Sequence, residues 1–247
     1  MLPNPPTATV CIPARLDSKR LPGKVLLDDT GLPLLLYAVR AARLCPTVKH
    51  VVVATDSMLV AHAVAGEAVV WVDQDDDSWC GSQRIARALV KLPERYADVD
   101  IVVNWQADEP EIRAQDADRL VRRAHAATSD DFDVVTAVGP FRRSSAQQPH
   151  TVKAILDEHG VADFRRSVRP ESTGFYPHVG IYAMRPEALA QLVAMAPSVR
   201  SIAESLEQLT WLDNGWKVDA IDIDYEPLGI NDGADYQRFI YRQKDTQ

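Results

Sequence analysis

Only three cysteines, Cys11, Cys45 and Cys80, occur in the 247 residues. They lack the spacing of a metal motif and cannot all pair, so reduced thiols in a cytoplasmic protein are the simplest account. No apolar stretch approaches the ~20 residues of a membrane span. The opening Met1-Leu2-Pro3-Asn4-Pro5-Pro6 has neither the basic start nor the apolar core of a secretory signal. No membrane partner is therefore expected. Cations are in deficit: 27 Lys and Arg face 35 Asp and Glu, a net charge of −8. A general nucleic-acid surface would need the opposite balance. Also missing are Gly-x-Gly-x-x-Gly after a strand and a Gly-Lys-Ser/Thr loop, which argues against a nicotinamide oxidoreductase and a P-loop enzyme. No internal repeat or low-complexity segment is present.

What is there suits a single α/β domain over 1–247, with 46% hydrophobic residues to fill its core. In the first half short apolar runs alternate with helical patterns, the mark of a parallel sheet. Strands are expected at 7–13, 50–55, 67–72 and 101–105. Helices are expected at 34–44, after Ser57 as a cap, and at 81–92 and 114–127. The second half differs. Segments 134–138 and 151–156 read as strands with no helix between them, and 178–184 is a further strand. Pro186 opens a helix. Residues 201–214 read as one amphipathic helix ended by Gly215. A strand at 217–222 and a helix from Asp232 to about 242 complete the chain.

The densest chemistry follows the first strand. Arg15, Lys19, Arg20 and Lys24 share one loop, which leaves the sheet at Pro13-Ala14-Arg15. In open parallel sheets ligands bind beyond the carboxyl ends of the strands. Arginine forks and a compact lysine charge suit a polyphosphate there. Cys80-Gly81-Ser82-Gln83-Arg84 opens a helix, and free amides at a helix start favour an anion. Asn104-Trp105-Gln106-Ala107-Asp108-Glu109-Pro110 follows a buried strand. Adjacent carboxylates at a strand end are costly without a cation, and a magnesium ion shared with phosphate oxygens gives them a use.

Together these segments resemble the signature of the CMP-KDO synthetases, the 3-deoxy-manno-octulosonate (KDO) cytidylyltransferases. That family shows Pro-Ala-Arg followed by Ser-x-Arg-Leu-Pro-Gly-Lys, then Ser-Gly-Thr-Glu-Arg and Gln-Gly-Asp-Glu-Pro. The likeness continues at Thr151-Val152-Lys153, His178-Val179-Gly180-Ile181-Tyr182 and Glu204-Ser205-Leu206-Glu207-Gln208-Leu209. It implies a Rossmann-like nucleotidyltransferase fold with a mixed, mostly parallel central sheet flanked by helices. It also implies transfer of CMP from CTP, release of pyrophosphate, a magnesium cofactor and a homodimer. A nucleotide-binding half would cover about 7–130, an acceptor and lid half about 131–230, and a C-terminal helix about 232–242. The resemblance makes Arg15, Lys24 and Asp108 catalytic. Its nucleotide contacts would be Pro13, Ala14, Arg15, Arg20, Lys24, Thr55, Asp56, Gly81, Ser82, Arg84, Gln106 and Asp108. Its acceptor site would take Gln106, Lys153, Arg165, Arg166, Arg169, His178, Tyr182 and Glu204. Asp108 would hold the metal, joined by Asn231 or Asp232.

Three departures bear on the acceptor. The segment between Arg166 and His178 is shorter than in the family. Arg165, Arg166 and Arg169 crowd one stretch. Asn231 stands where the family has a second metal-binding aspartate. More positive charge and one fewer metal carboxylate suit a nucleophile that arrives ionised. The expected acceptor is therefore a small phosphonate such as phosphonoformate, as in phosphonate-antibiotic members of the superfamily. KDO or a related sugar acid is the alternative, and a catalytically inactive nucleotide-binding regulator is another.

Overall fold

A computed structural model describes residues 5–18, 20–127, 131–142, 146, 148, 150–169 and 171–245. Lys19 lies outside the described residues. Strand β1 (Ala8–Ala14) is buried along its whole length, as expected of a strand covered on both faces. It pairs in parallel with β2 (Val48–Thr55) on one side and β4 (Ile101–Trp105) on the other. β3 (Val69–Val72) extends the sheet beyond β2. β8 (Phe175–Met184) runs antiparallel between β4 and β5 (Val134–Val138), and β9 (Val218–Asp222) closes the far edge parallel to β5. The order is β3-β2-β1-β4-β8-β5-β9, with β6 (Lys153–Asp157) and β7 (Gly160–Arg165) branching from β8 as a hairpin.

Helices cover both faces because alternate strand residues point to opposite sides. Val10 and Ile12 face a core completed by α1 (Leu34–Arg43), α2 (Met58–Ala63) and α4 (Ala114–Ala126). Cys11 faces the other core, with α3 (Gly81–Lys91), α5 (Pro186–Ala194) and α7 (Gln208–Asp213). Ser57 caps α2 through the Leu59 amide, and Pro186 opens α5. Asp232 forms a capping box at the start of α8 (Gly233–Lys244). Among the described residues no helix is long and apolar enough to cross a membrane. All three cysteines are free thiols.

Two expectations need correction. The segment read as one helix from 201 to 214 is two: α6 (Val199–Glu204) and α7, separated at Ser205, whose φ of 52° is left-handed. Leu206 is buried at the break, and Arg166 takes the carbonyls of Glu204 and Ser205 (2.7 and 3.1 Å). Tertiary contacts thus replace the helical hydrogen bonds that a continuous helix would have made. Strand β7 went unread because its partners, not its own pattern, make it a strand. Gly160 starts it at φ 120°, and a Cβ there would lie 2.5 Å from the Val218 carbonyl oxygen. Gly160→Ala should cost about 2 kcal/mol of stability, read as a lower urea midpoint with unchanged slope. An unchanged midpoint would refute the close packing of β7 on β9.

Candidate active site

The β1 loop and the β4 end meet because the two strands are parallel neighbours, so their carboxyl ends share one edge. Lys24 Nζ donates to Asp108 Oδ2 at 2.5 Å and to the Ile230 carbonyl at 2.9 Å. Arg15 donates to the Ser78 carbonyl. Pro13, Arg15, Lys24, Gly81, Gln106 and Asp108 line a cleft of 250 Å³ at this edge. Gly81 is required there: a Cβ would lie 3.0 Å from Pro13 and 3.2 Å from the Gln106 amide nitrogen. Gln106 and Asp108 also line a second, larger cleft of 1210 Å³, so the two compartments share a wall.

The large cleft contains Arg20, Gln106, Asp108, Arg166, His178, Tyr182, Glu207 and Asn231. Burial drives His178 down to a pKa of about 3, so its ring is neutral near pH 7. The Thr136 hydroxyl oxygen lies 2.8 Å from the Ile181 carbonyl oxygen and 2.9 Å from His178 Nε2, so it tethers the ring that lines the cleft. Glu109 sits under this wall and accepts from the Gly180 amide at 3.1 Å. A Cβ on Gly180 or Gly229 would meet its side chain at 3.2 and 3.1 Å. Burial, then the neighbouring Asp108 charge, raises the Glu109 pKa to about 8.

Several residues expected at the site do other work. Arg84 lines the small cleft as expected, but it is buried and its Nε donates to Asp76 Oδ2 at 2.5 Å, so an internal ion pair offsets its charge. Thr55 is buried and accepts from the Ser57 amide, while Asp56 accepts from the Leu16 amide. The Ser82 amide does not offer a free anion site, because it donates to Glu207 Oε2 at 3.2 Å. Glu207 takes the place of a cap: Cys80, at the N-cap of α3, makes no side-chain capping bond. Burial raises the Glu207 pKa. A thiol at a helix start was the sequence signal for such a substitute.

The acceptor side changes most. Of the Arg165-Arg166-Arg169 cluster only Arg166 lines the cleft. Arg165, the last residue of β7, forms an ion pair with Asp163 two positions back on the same strand face at 2.8 Å. Arg169 is exposed and lines neither cleft. Glu204 is likewise exposed and lines neither cleft, and its carbonyl accepts from Arg166 Nε at 2.7 Å. Lys153 is fully buried under the wall rather than in the cleft. At the metal position, Asn231 Oδ1 accepts from Arg20 at 3.0 Å. Asp232 Oδ1 is used by the Ala234 and Asp235 amides of α8. No cluster of three or more potential metal-ligating His, Cys, Asp or Glu occurs among the described residues. Asp108 is the carboxylate left facing both clefts.

A parallel sheet with a basic loop and a carboxylate at adjacent strand ends, opening onto two joined clefts, defines a nucleotidyltransferase. The cytidylyltransferase family model matches residues 9–222. A 3-deoxy-manno-octulosonate cytidylyltransferase of Chlorobium phaeovibrioides is 37% identical, covering 96% of this chain and 98% of that protein. One of Chlorobium limicola is also 37% identical, over 92% and 94% of the two chains. The solved structure of a CMP:2-keto-3-deoxy-manno-octonic acid synthetase complexed with CTP superposes with a TM-score of 0.83 at 29% identity, covering 98% and 100%. A 4-diphosphocytidyl-2C-methyl-D-erythritol synthase shares the fold alone, with a TM-score of 0.65 at 12% identity over 96% and 97%. The chain belongs to the cytidylyltransferase family, and it is a CTP-dependent nucleotidyltransferase.

Proposed function

We propose that this enzyme transfers CMP from CTP to KDO, or a closely related sugar acid, and releases pyrophosphate. The observation that carries this reading is His178. A neutral imidazole in the cleft can hydrogen-bond a sugar hydroxyl but supplies no positive charge for a phosphonate dianion. The charge argument for a phosphonate also loses its basis, since two of its three arginines lie away from the cleft. One guanidinium, Arg166, suits the single carboxylate of a sugar acid. The relatives named for this acceptor match across nearly their whole length.

In the proposed reaction an acceptor hydroxyl oxygen attacks the α-phosphorus, and the bond to the pyrophosphate leaving group breaks. Arg15 and Lys24 neutralise triphosphate charge and orient the leaving group. Gln106 lines both clefts and so stands between nucleotide and acceptor. Arg166, His178 and Tyr182 hold the acceptor. A magnesium ion fits at Asp108, because one carboxylate plus substrate phosphates is a usual donor set for it. When bound it would supply charge neutralisation and make the acceptor hydroxyl easier to deprotonate. A homodimer and a cytoplasmic location complete the proposal. Light scattering in solution tests the first.

Equimolar KDO and phosphonoformate, offered together with CTP and magnesium, should yield CMP-KDO as the dominant product by phosphorus NMR. A dominant CMP–phosphonoformate anhydride would restore the phosphonate reading. CTP binding with no product from either acceptor would favour a regulator.

A further inference from the structure

Lys153 is the first residue of β6, at the open end of the hairpin beside the acceptor wall. It pairs with Arg165 on β7 and with Pro177 on β8. Its side chain is fully buried. A buried ammonium is costly unless its protons are hydrogen-bonded. Three carbonyls meet it: Gln148 at 2.5 Å, Thr151 at 2.7 Å and Arg166 at 2.7 Å. An ammonium has three protons, so none is left for a substrate. All three carbonyls belong to residues that line the large cleft. Two precede β6 and the third follows β7, so one cation joins two separate stretches of the wall.

The arrangement continues through Arg166. Its backbone is held by Lys153, while its guanidinium reaches the carbonyls of Glu204 and Ser205 at the end of α6. Ser205 leads to Glu207, which lines the cleft and caps α3. Backbone placement of Arg166 therefore decides where its side chain meets both α6 and a ligand.

We propose that Lys153 is a positioning residue for the transfer reaction: its ammonium fixes the main chain of the acceptor wall and sets where Arg166 meets the acceptor's anionic group, without touching the acceptor. This rests on the reading that the acceptor binds at Arg166. Replacing Lys153 with methionine keeps an unbranched apolar stem one atom shorter and leaves three buried carbonyl oxygens unpaired. Glutamine, with two amide protons, can satisfy two of them.

Lys153→Met and Lys153→Gln are compared with the wild type in the full chain by three measurements. The first is the CTP dissociation constant without acceptor. The second is the acceptor KM, measured with whichever of KDO or phosphonoformate the wild type turns over. The third is amide hydrogen exchange, read by mass spectrometry. CTP affinity should stay within about twofold. The acceptor KM should rise about tenfold or more in Lys153→Met and less in Lys153→Gln. Exchange should quicken in peptides spanning 146–152 and 164–169 and stay unchanged in β1 and β4. A raised KM with unchanged exchange would mean direct contact with the acceptor and overturn the proposal. So would an unchanged KM, or faster exchange across the whole sheet with loss of CTP binding. If neither variant folds, the residue is a general scaffold element and the proposal also falls. Wild type that ignores KDO defeats the acceptor assignment alone; the differences between variants and wild type judge Lys153.

Discussion

Asp108→Asn is expected to lower kcat by about 10³-fold or more, roughly 4 kcal/mol of lost transition-state stabilisation. Asp108 sits at the end of β4, its carboxylate between the Lys24 ammonium and both clefts. The amide has nearly the same shape, so packing is retained while the negative charge is lost. A magnesium ion would then lose the protein carboxylate proposed to hold it. Lys24 would keep the Ile230 carbonyl but lose its charged partner. Asn231 is a neutral amide whose Oδ1 accepts from Arg20, and Asp232 Oδ1 is held by the α8 amides, so neither restores a charge beside Lys24. Pyrophosphate release at saturating CTP and magnesium reads the loss. A melting temperature and CTP affinity close to wild type would show that the fold and nucleotide cleft survive. Wild-type turnover would show that the charge at this position is not needed.

Glu109→Gln should stabilise the protein at high pH and leave it nearly unchanged at low pH. The Glu109 pKa is raised in the folded protein to about 8, chiefly by burial and then by Asp108. The unfolded chain has the ordinary value near 4.3. Between these values the folded state binds more protons than the unfolded one, so stability falls as pH rises toward 8. Below the unfolded value both states are protonated and the penalty vanishes. Glutamine is neutral at every pH, and its carbonyl can still accept from Gly180. With metal chelated, the gain should be on the order of 5 kcal/mol at pH 8.5 and near zero at pH 4. Denaturant melts across this range measure it. A difference independent of pH would mean that the Glu109 carboxyl is not held neutral in the fold.

The basic loop and the carboxylate facing it were the most legible part because each is set locally. An apolar run, a Pro-Ala-Arg exit and Lys24 place a basic loop at a strand end without knowledge of the rest. Asp108 was legible for the same reason, as a carboxylate directly after a buried strand. The acceptor side was misread because its chemistry depends on which way side chains point. Arg165 and Arg166 are adjacent in sequence, but Arg165 ends β7 and pairs with Asp163, whereas Arg166 lies just beyond the strand and lines the cleft. Glu204 and Glu207 would share a face on an unbroken helix, yet the left-handed Ser205 turns Glu204 outward and brings Glu207 against α3.

The amino-acid sequence by itself determined the sheet's parallel half, the caps at Ser57 and Asp232, and the basic loop with its facing carboxylate. Each is set by hydrophobic period, turn chemistry or a strand end, and these act over a few residues. Tertiary structure alone decided that Lys153 is buried beneath three carbonyls, that Arg84 is paired with Asp76, and that His178 is neutral. Those outcomes depend on desolvation and on partners between 2 and 42 positions away along the chain. Burial sets the sign of a charge's usefulness, and burial is a property of the assembled fold.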